Sequence, residues 1–138
     1  MDESPIAQLL GGVDELDVDA AAAMFAGDGR LLTVDGRRAQ GREAVRDLLR
    51  DFLAALRSST HRITAQWQHE NVWIAEVEAT YELRDWRQLT ALPRAFVLRD
   101  GPAGIADLRV YGSHERPLGE TPKGEKGTWI GERWMPPL

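Results

Sequence analysis

Hydrophobic positions recur at helical spacing most clearly between Arg42 and Leu56. Val45, Leu48, Leu49, Phe52, Leu53 and Leu56 fall at i, i+3, i+4, i+7, i+8 and i+11, one stripe of an amphipathic helix. The other face carries Arg42, Glu43, Arg46, Asp47, Arg50 and Asp51 and reads as solvated. Upstream, Ser4-Pro5 is a helix-start signal for Ile6 to Leu10, with Gly11-Gly12 weakening the segment. Asp17 caps a second short helix through Met24 and Phe25, which Gly27-Asp28-Gly29 is expected to end. Leu31 to Val34 then reads as a short strand, with a turn at Asp35-Gly36 and Arg38 to Gln40 pairing back.

After Ser58-Ser59 the period changes to two. His61, Ile63, Ala65 and Trp67 alternate with Arg62, Thr64, Gln66 and Gln68. A long strand follows from Val72 to Leu83, a third covers Leu89 to Leu98, and a fourth runs from Ile105 to Ser113. Pro93 implies a bulge or an edge position in the third, because proline has no N–H for the ladder. A three-residue turn at His69-Glu70-Asn71 would set Trp67 opposite Trp73, Ala65 opposite Ala75 and Ile63 opposite Val77. That register gathers His61, Val77, Ala79 and Tyr81 on one nearly apolar face and turns Glu76 and Glu78 outward. The opposite register would bury two unpaired carboxylates, which is costly. Helices first and long antiparallel strands afterwards make the class α+β: a curved sheet folded over about three N-terminal helices.

The chain has 138 residues, 43% of them hydrophobic and 28% charged, enough for one domain with one core. It has no cysteine, so disulfides, thiol nucleophiles and thiolate metal sites are excluded. A net charge of −5 disfavours nucleic acid as a partner. No apolar run approaches the roughly 20 residues of a membrane span, and the acidic N-terminus lacks a signal core, so a cytoplasmic protein is expected. The domain is expected over residues 1–115. Residues 116–138 read as a Gly- and Pro-punctuated linker followed by a tail. That tail carries Trp129, Ile130, Trp134 and Met135 and is expected to dock on folded surface, with residues 119–127 as its tether.

The segments DVDAAAAMFAGDGRL (17–31), GREAVRDLLRDFL (41–53), HRITAQWQHENVWIAEVEATYEL (61–83) and GIADLRVYGS (104–113) resemble, in order and spacing, the nuclear-transport-factor-2-like superfamily and its SnoaL-like branch. The resemblance implies a cone: a strongly bent sheet wrapped around helices, with an apolar pocket inside. It implies that Leu9 and Phe25, Leu49 and Leu53, Ile63 and Trp67, Trp73, Val77 and Ala79, and Ala95, Leu108 and Val110 line that pocket. Relatives in this superfamily include ketosteroid isomerases, limonene-epoxide hydrolases, scytalone dehydratases and polyketide cyclases, and many dimerise through the convex face. The acids and bases of the isomerases match Leu9, Leu32 or Thr33, and Ala95 here, with Asp35 nearby in a turn. Those of the epoxide hydrolases match Ala79, Tyr81 and Val110, and the cyclases' late aspartate matches Ser113. None of these supplies the expected group.

His61 is the best acid–base candidate, with Tyr81 as a hydroxyl that engages a substrate oxygen. Asp107, Arg109 and Tyr111 lie two apart on one strand and are expected, with Glu76, Glu78, Arg62 and Arg94, to form a convex charge ladder. Phe96, Leu98 and Tyr111 suit a dimer interface there. The only histidines, His61, His69 and His114, lack compact metal-ligand spacing, so no metal and no cofactor are expected. Three functions follow: binding of a small hydrophobic molecule, a cofactor-independent isomerase, cyclase, dehydratase or hydrolase, or a dimeric interaction module. A polar, hydrogen-bonded pocket favours the enzyme, a uniformly apolar one the binder, and a closed core the module.

Overall fold

The computed structural model describes residues 4–112, 128–130 and 133–135. Helix α1 spans Pro5–Asp14, with the Ser4 hydroxyl accepting the Ala7 N–H at 3.0 Å. It runs through Gly11-Gly12 without ending there. Gly12 lets α1 approach the next helix closely, since a Cβ would lie 3.4 Å from the Ala21 nitrogen. Helix α2 covers Val18–Ala23, with Asp17 accepting the Ala20 N–H at 3.0 Å.

Strand β1 starts at Phe25 and runs to Leu32, earlier than the sequence pattern suggests. The glycines read as a helix terminator belong to this strand, where its pairing with β6 is irregular. A Cβ on Gly29 would lie 2.6 Å from the Ile105 carbonyl oxygen, so only glycine fits that crossing. Strand β2 is Arg38–Gln40 and pairs back onto β1 as expected. Helix α3, Arg42–Ala54, buries Val45, Leu48 and Leu53 and ends before Leu56, which opens strand β3.

Strands β3 (Leu56–His69), β4 (Val72–Leu83), β5 (Gln88–Gly101) and β6 (Gly104–Gly112) form an antiparallel meander. The sheet order is β2-β1-β6-β5-β4-β3, with β1 and β6 parallel. The three helices lie on its curved inner side, and the core fills the space between. The architecture is the α+β cone read from the chain. No helix among the described residues is long and apolar enough to cross a membrane.

The β3–β4 register corrects the expected turn. The loop has two residues, with Glu70 taking the left-handed conformation (φ 54) and His69 facing Val72. Trp67 therefore faces Ile74, and Ala65 faces Glu76. An irregularity between Ile63 and Ala65 then absorbs one residue, so Ile63 meets Val77 as expected. Val77, Ala79 and Tyr81 end up buried, while Glu76 stays in water and Glu78 pairs with Arg62. The bulge thus keeps the carboxylates outside, as desolvation cost requires. Pro93 lies on β5, an interior strand, and the ladder breaks close by, with Ala91 at φ 53 and its N–H donating 3.1 Å to the Thr80 hydroxyl.

Residues 128–130 and 133–135 form a two-stranded antiparallel pair, β7 and β8, with Trp129 opposite Trp134. The expected tether at 119–127, and docking of the tail's side chains, lie outside the described residues.

Gly104 opens β6 where the strand packs against Met24, just after α2. Its φ is +125°, and a Cβ there would lie 2.7 Å from the Met24 carbonyl oxygen, which accepts the Ile105 N–H at 2.9 Å. Gly104→Ala should destabilise the fold by about 2 kcal/mol or more, read as a lower urea midpoint. An unchanged midpoint would contradict this packing.

Candidate functional site

The inner face of the sheet and the helices do not close completely. A cavity of about 280 Å³ remains, just below the roughly 300–1,000 Å³ typical of small-molecule sites. Leu9, Leu10 and Val13 of α1, Leu48, Leu49 and Phe52 of α3, and Leu89, Leu92, Phe96, Leu108 and Val110 of the sheet supply an apolar wall. Leu49 and Phe52 are only half-buried although they lie on the apolar stripe of α3, because they face this space. At the rim, the β1–β2 turn contributes Thr33, Asp35 and Arg37, with the Arg37 Nε donating to Asp35 at 2.9 Å.

At one end of the wall His61 and Tyr81 line the cavity, and Asp14 backs His61 from outside it. Asp14 is the last residue of α1, His61 lies on β3 and Tyr81 on β4. Asp14 Oδ1 lies 2.6 Å from His61 Nδ1, and Asp14 Oδ2 accepts the His61 backbone N–H at 2.8 Å. The Ser59 hydroxyl donates to Asp14 Oδ1 at 2.8 Å. On the other side of the ring, His61 Nε2 lies 2.9 Å from the Tyr81 hydroxyl. The Tyr81 ring is held edge-on between His61 and Phe52, with centroids 5.4 Å from each.

Electrostatics follow from this packing. Burial alone would raise the Asp14 carboxyl, but hydrogen bonds and charge from His61, with the bond from Ser59, hold it below its ordinary value. Burial pushes the Tyr81 phenol up to about 12; the Arg94 charge opposes this and the Asp14 charge adds to it. Tyr81 therefore keeps its proton at neutral pH and acts there as a hydroxyl. Arg94 is buried, lines the cavity and donates to the Pro93 carbonyl at 2.9 Å.

His61, Tyr81, Leu9, Leu49, Leu108 and Val110 all line the cavity. The other sequence-derived wall residues lie elsewhere. Phe25, Leu53, Val77 and Ala79 are buried in the surrounding core, and Ile63 and Trp73 are half-buried against it. Ala95 pairs with Glu76 and Tyr111, outward-facing residues, so it belongs to the convex side. Trp67 is 53% exposed there beside Ile74, because the two-residue turn moves it out of line with Trp73.

The convex charge ladder also needs correction. Arg94, Phe96 and Leu98 face inward and are buried, so they leave both the ladder and the expected dimer surface. Asp107 does sit among arginines, with the Arg109 Nε donating at 3.1 Å and Arg99 and Arg30 at 3.6 and 3.7 Å. Among the described residues no group of three or more metal-ligand side chains gathers.

Sequence reasoning missed Asp14, Ser59 and Arg94. Asp14 lies 47 residues from His61 and beyond the Gly11-Gly12 pair read as weakening α1, so only the fold brings them together.

Residues 6–117 match the family model of the SnoaL-like domain. No curated protein matches the sequence. Among solved structures, a ketosteroid isomerase-like fold protein from Catenulispora acidiphila, crystallised with trimethylamine, superposes with a TM-score of 0.76 at 18% identity, covering 86% of this chain and 92% of its own. An LEH-like epoxide hydrolase of M. tuberculosis gives 0.68 at 16% identity, covering 79% and 80%. SalBIII, an epoxide hydrolase/cyclase-like enzyme of pyran ring formation in salinomycin, gives 0.68 at 19% identity, covering 79% and 88%. At these identities the likeness establishes the fold alone.

Because the folded-state value of Tyr81 lies above its ordinary 10.0, its contribution to stability is complete below that pH and is lost as pH rises toward about 12. Stability measured in urea should fall across that window, with phenolate absorbance from Tyr81 appearing only near its upper end. Tyr81→Phe should remove this contribution to the alkaline loss. An ordinary midpoint for Tyr81 would contradict the burial described.

Proposed function

The chain belongs to the SnoaL-like domain family, and from that membership we propose that it binds a small hydrophobic molecule inside the cone. The ligand class is polyketide-, terpenoid- or steroid-like. The supporting observation is the cavity: a mostly apolar wall inside an otherwise packed core, with hydrogen-bonding groups at His61, Tyr81 and Arg94 and at the Thr33–Arg37 rim. Empty apolar volume costs stability, so a cavity of this size is best explained by an occupant. Leu49 projects from α3 into this space. Leu49→Trp should fill it and weaken uptake of a fluorescent apolar probe by roughly tenfold or more, a loss of about 1.4 kcal/mol or more, while the protein stays folded. Unchanged uptake would overturn the proposal.

A second reading is carried by the Asp14–His61–Tyr81 chain, which suits a cofactor-independent isomerase, cyclase, dehydratase or hydrolase. His61 would be the acid–base group, Tyr81 the hydroxyl that meets a substrate oxygen, and Asp14 the group that orients the ring. Asp14 and Ser59 are not the groups ketosteroid isomerases or limonene-epoxide hydrolases use, and Leu9, Ala79 and Ala95 provide no substitute for theirs. Turnover of steroid enones or limonene epoxide should therefore be negligible. Rates comparable to those enzymes would contradict this.

We also propose a cytoplasmic homodimer formed through the convex face. Trp67 and Ile74 are cross-strand neighbours there, and Tyr111 is exposed on the same side. Sedimentation as a single 15.4 kDa species at micromolar concentration would contradict the dimer.

A further inference from the structure

The polar end of the cavity has a direction, and this inference rests on the ligand-binding reading above. Asp14 Oδ1 lies 2.6 Å from His61 Nδ1. Both carboxylate oxygens already accept hydrogen bonds, Oδ2 from the His61 backbone N–H and Oδ1 from the Ser59 hydroxyl. Held below the ordinary carboxyl range, Asp14 is ionised and can only accept. Nδ1 must then carry the ring proton, and in a neutral imidazole Nε2 is left as an acceptor. The group within its reach is the Tyr81 hydroxyl at 2.9 Å, which keeps its proton. That proton points at Nε2. What Tyr81 presents to the cavity is the remaining lone-pair side of its oxygen.

We propose that Asp14 is a positioning residue which, by fixing the His61 tautomer, makes Tyr81 a hydrogen-bond acceptor toward the cavity, so that the site selects apolar molecules carrying a donor hydroxyl, such as a phenol or an enol, over their carbonyl counterparts. The same geometry predicts how to reverse the selection. In Asp14→Asn, the His61 backbone N–H holds the amide carbonyl at the place of Oδ2. The amide NH2 is thereby turned to the place of Oδ1, where it donates to Nδ1 and the Ser59 oxygen can accept from it. The ring proton moves to Nε2, Nε2–H donates to Tyr81, and the Tyr81 O–H swings toward the ligand. Arg94 and the apolar wall are the same in both proteins, so a change of preference isolates Tyr81.

The test has two parts, both at about pH 8. Nitrogen-15 NMR of histidine-labelled protein should show His61 with a protonated Nδ1 and an unprotonated Nε2. Binding of naphthol, naphthaldehyde and naphthalene is then measured for the unaltered protein and for Asp14→Asn. Naphthol should bind the unaltered protein roughly three- to tenfold more tightly than naphthaldehyde, the worth of one neutral hydrogen bond. Asp14→Asn should invert that order. A proton on Nε2 in the unaltered protein overturns the proposal without any variant, and so does an equal or opposite preference there. A folded Asp14→Asn protein with the original preference also overturns it. Naphthalene separates the two levels of the argument: if it binds while naphthol and naphthaldehyde bind alike, the polarity inference alone fails, and if none of the three binds, the cavity reading fails with it.

Discussion

Three hydrogen bonds end on the carboxylate of Asp14, and they join the first helix to the first long strand. The position is electrostatically awkward, since a negative charge at the C-terminal end of a helix opposes the backbone dipole. The His61 ring, its backbone N–H and the Ser59 hydroxyl offset that cost. In return, the carboxylate sets how α1 lies across the mouth of the β3–β4 pair and which way the imidazole points. The cavity's polar end is therefore a consequence of how the helix is anchored, and removing Asp14 would disturb anchoring and chemistry together.

The apolar part of the site depends on register. β3 and β4 are long, and a one-residue slip anywhere along them would exchange Val77, Ala79 and Tyr81 for Glu76, Glu78 and Thr80 on the inner face. The irregularity between Ile63 and Ala65 compensates for the two-residue turn and bends the sheet locally. A second break, at Thr90-Ala91, does the same on the other side of β4. Leu49 and Phe52 of α3 line the cavity left between these bends, Phe52 meeting the sheet edge-on at Tyr81.

The long periodic elements were legible in the chain. The helix starting at Arg42 and the strand from Val72 to Leu83 stand where alternation puts them, and the inward set of β4 follows from the cost of burying Glu76 and Glu78. What alternation misses is where a period is interrupted. The two-residue turn gave Ala65 and Trp67 partners other than the expected ones, and the irregularity between Ile63 and Ala65 restored the expected Ile63–Val77 pair. Gly27 and Gly29 look like punctuation in a one-dimensional reading, whereas Gly29 serves a close strand crossing with Ile105 that only the parallel β1–β6 pairing creates. His61 and Tyr81 could be picked out because alternation puts them on one face of the sheet. Asp14 could not, because its role depends on a contact across 47 residues.

The central claim is that the cone holds a small apolar molecule with its oxygen at the Tyr81 end, and a crystal structure grown with naphthol tests it most directly. The ring system should lie between Leu49 and Leu108, with its hydroxyl within hydrogen-bond distance of Tyr81 Oη. A cavity closed by Phe52, with naphthol absent or bound only on the outer face of the sheet, would contradict it.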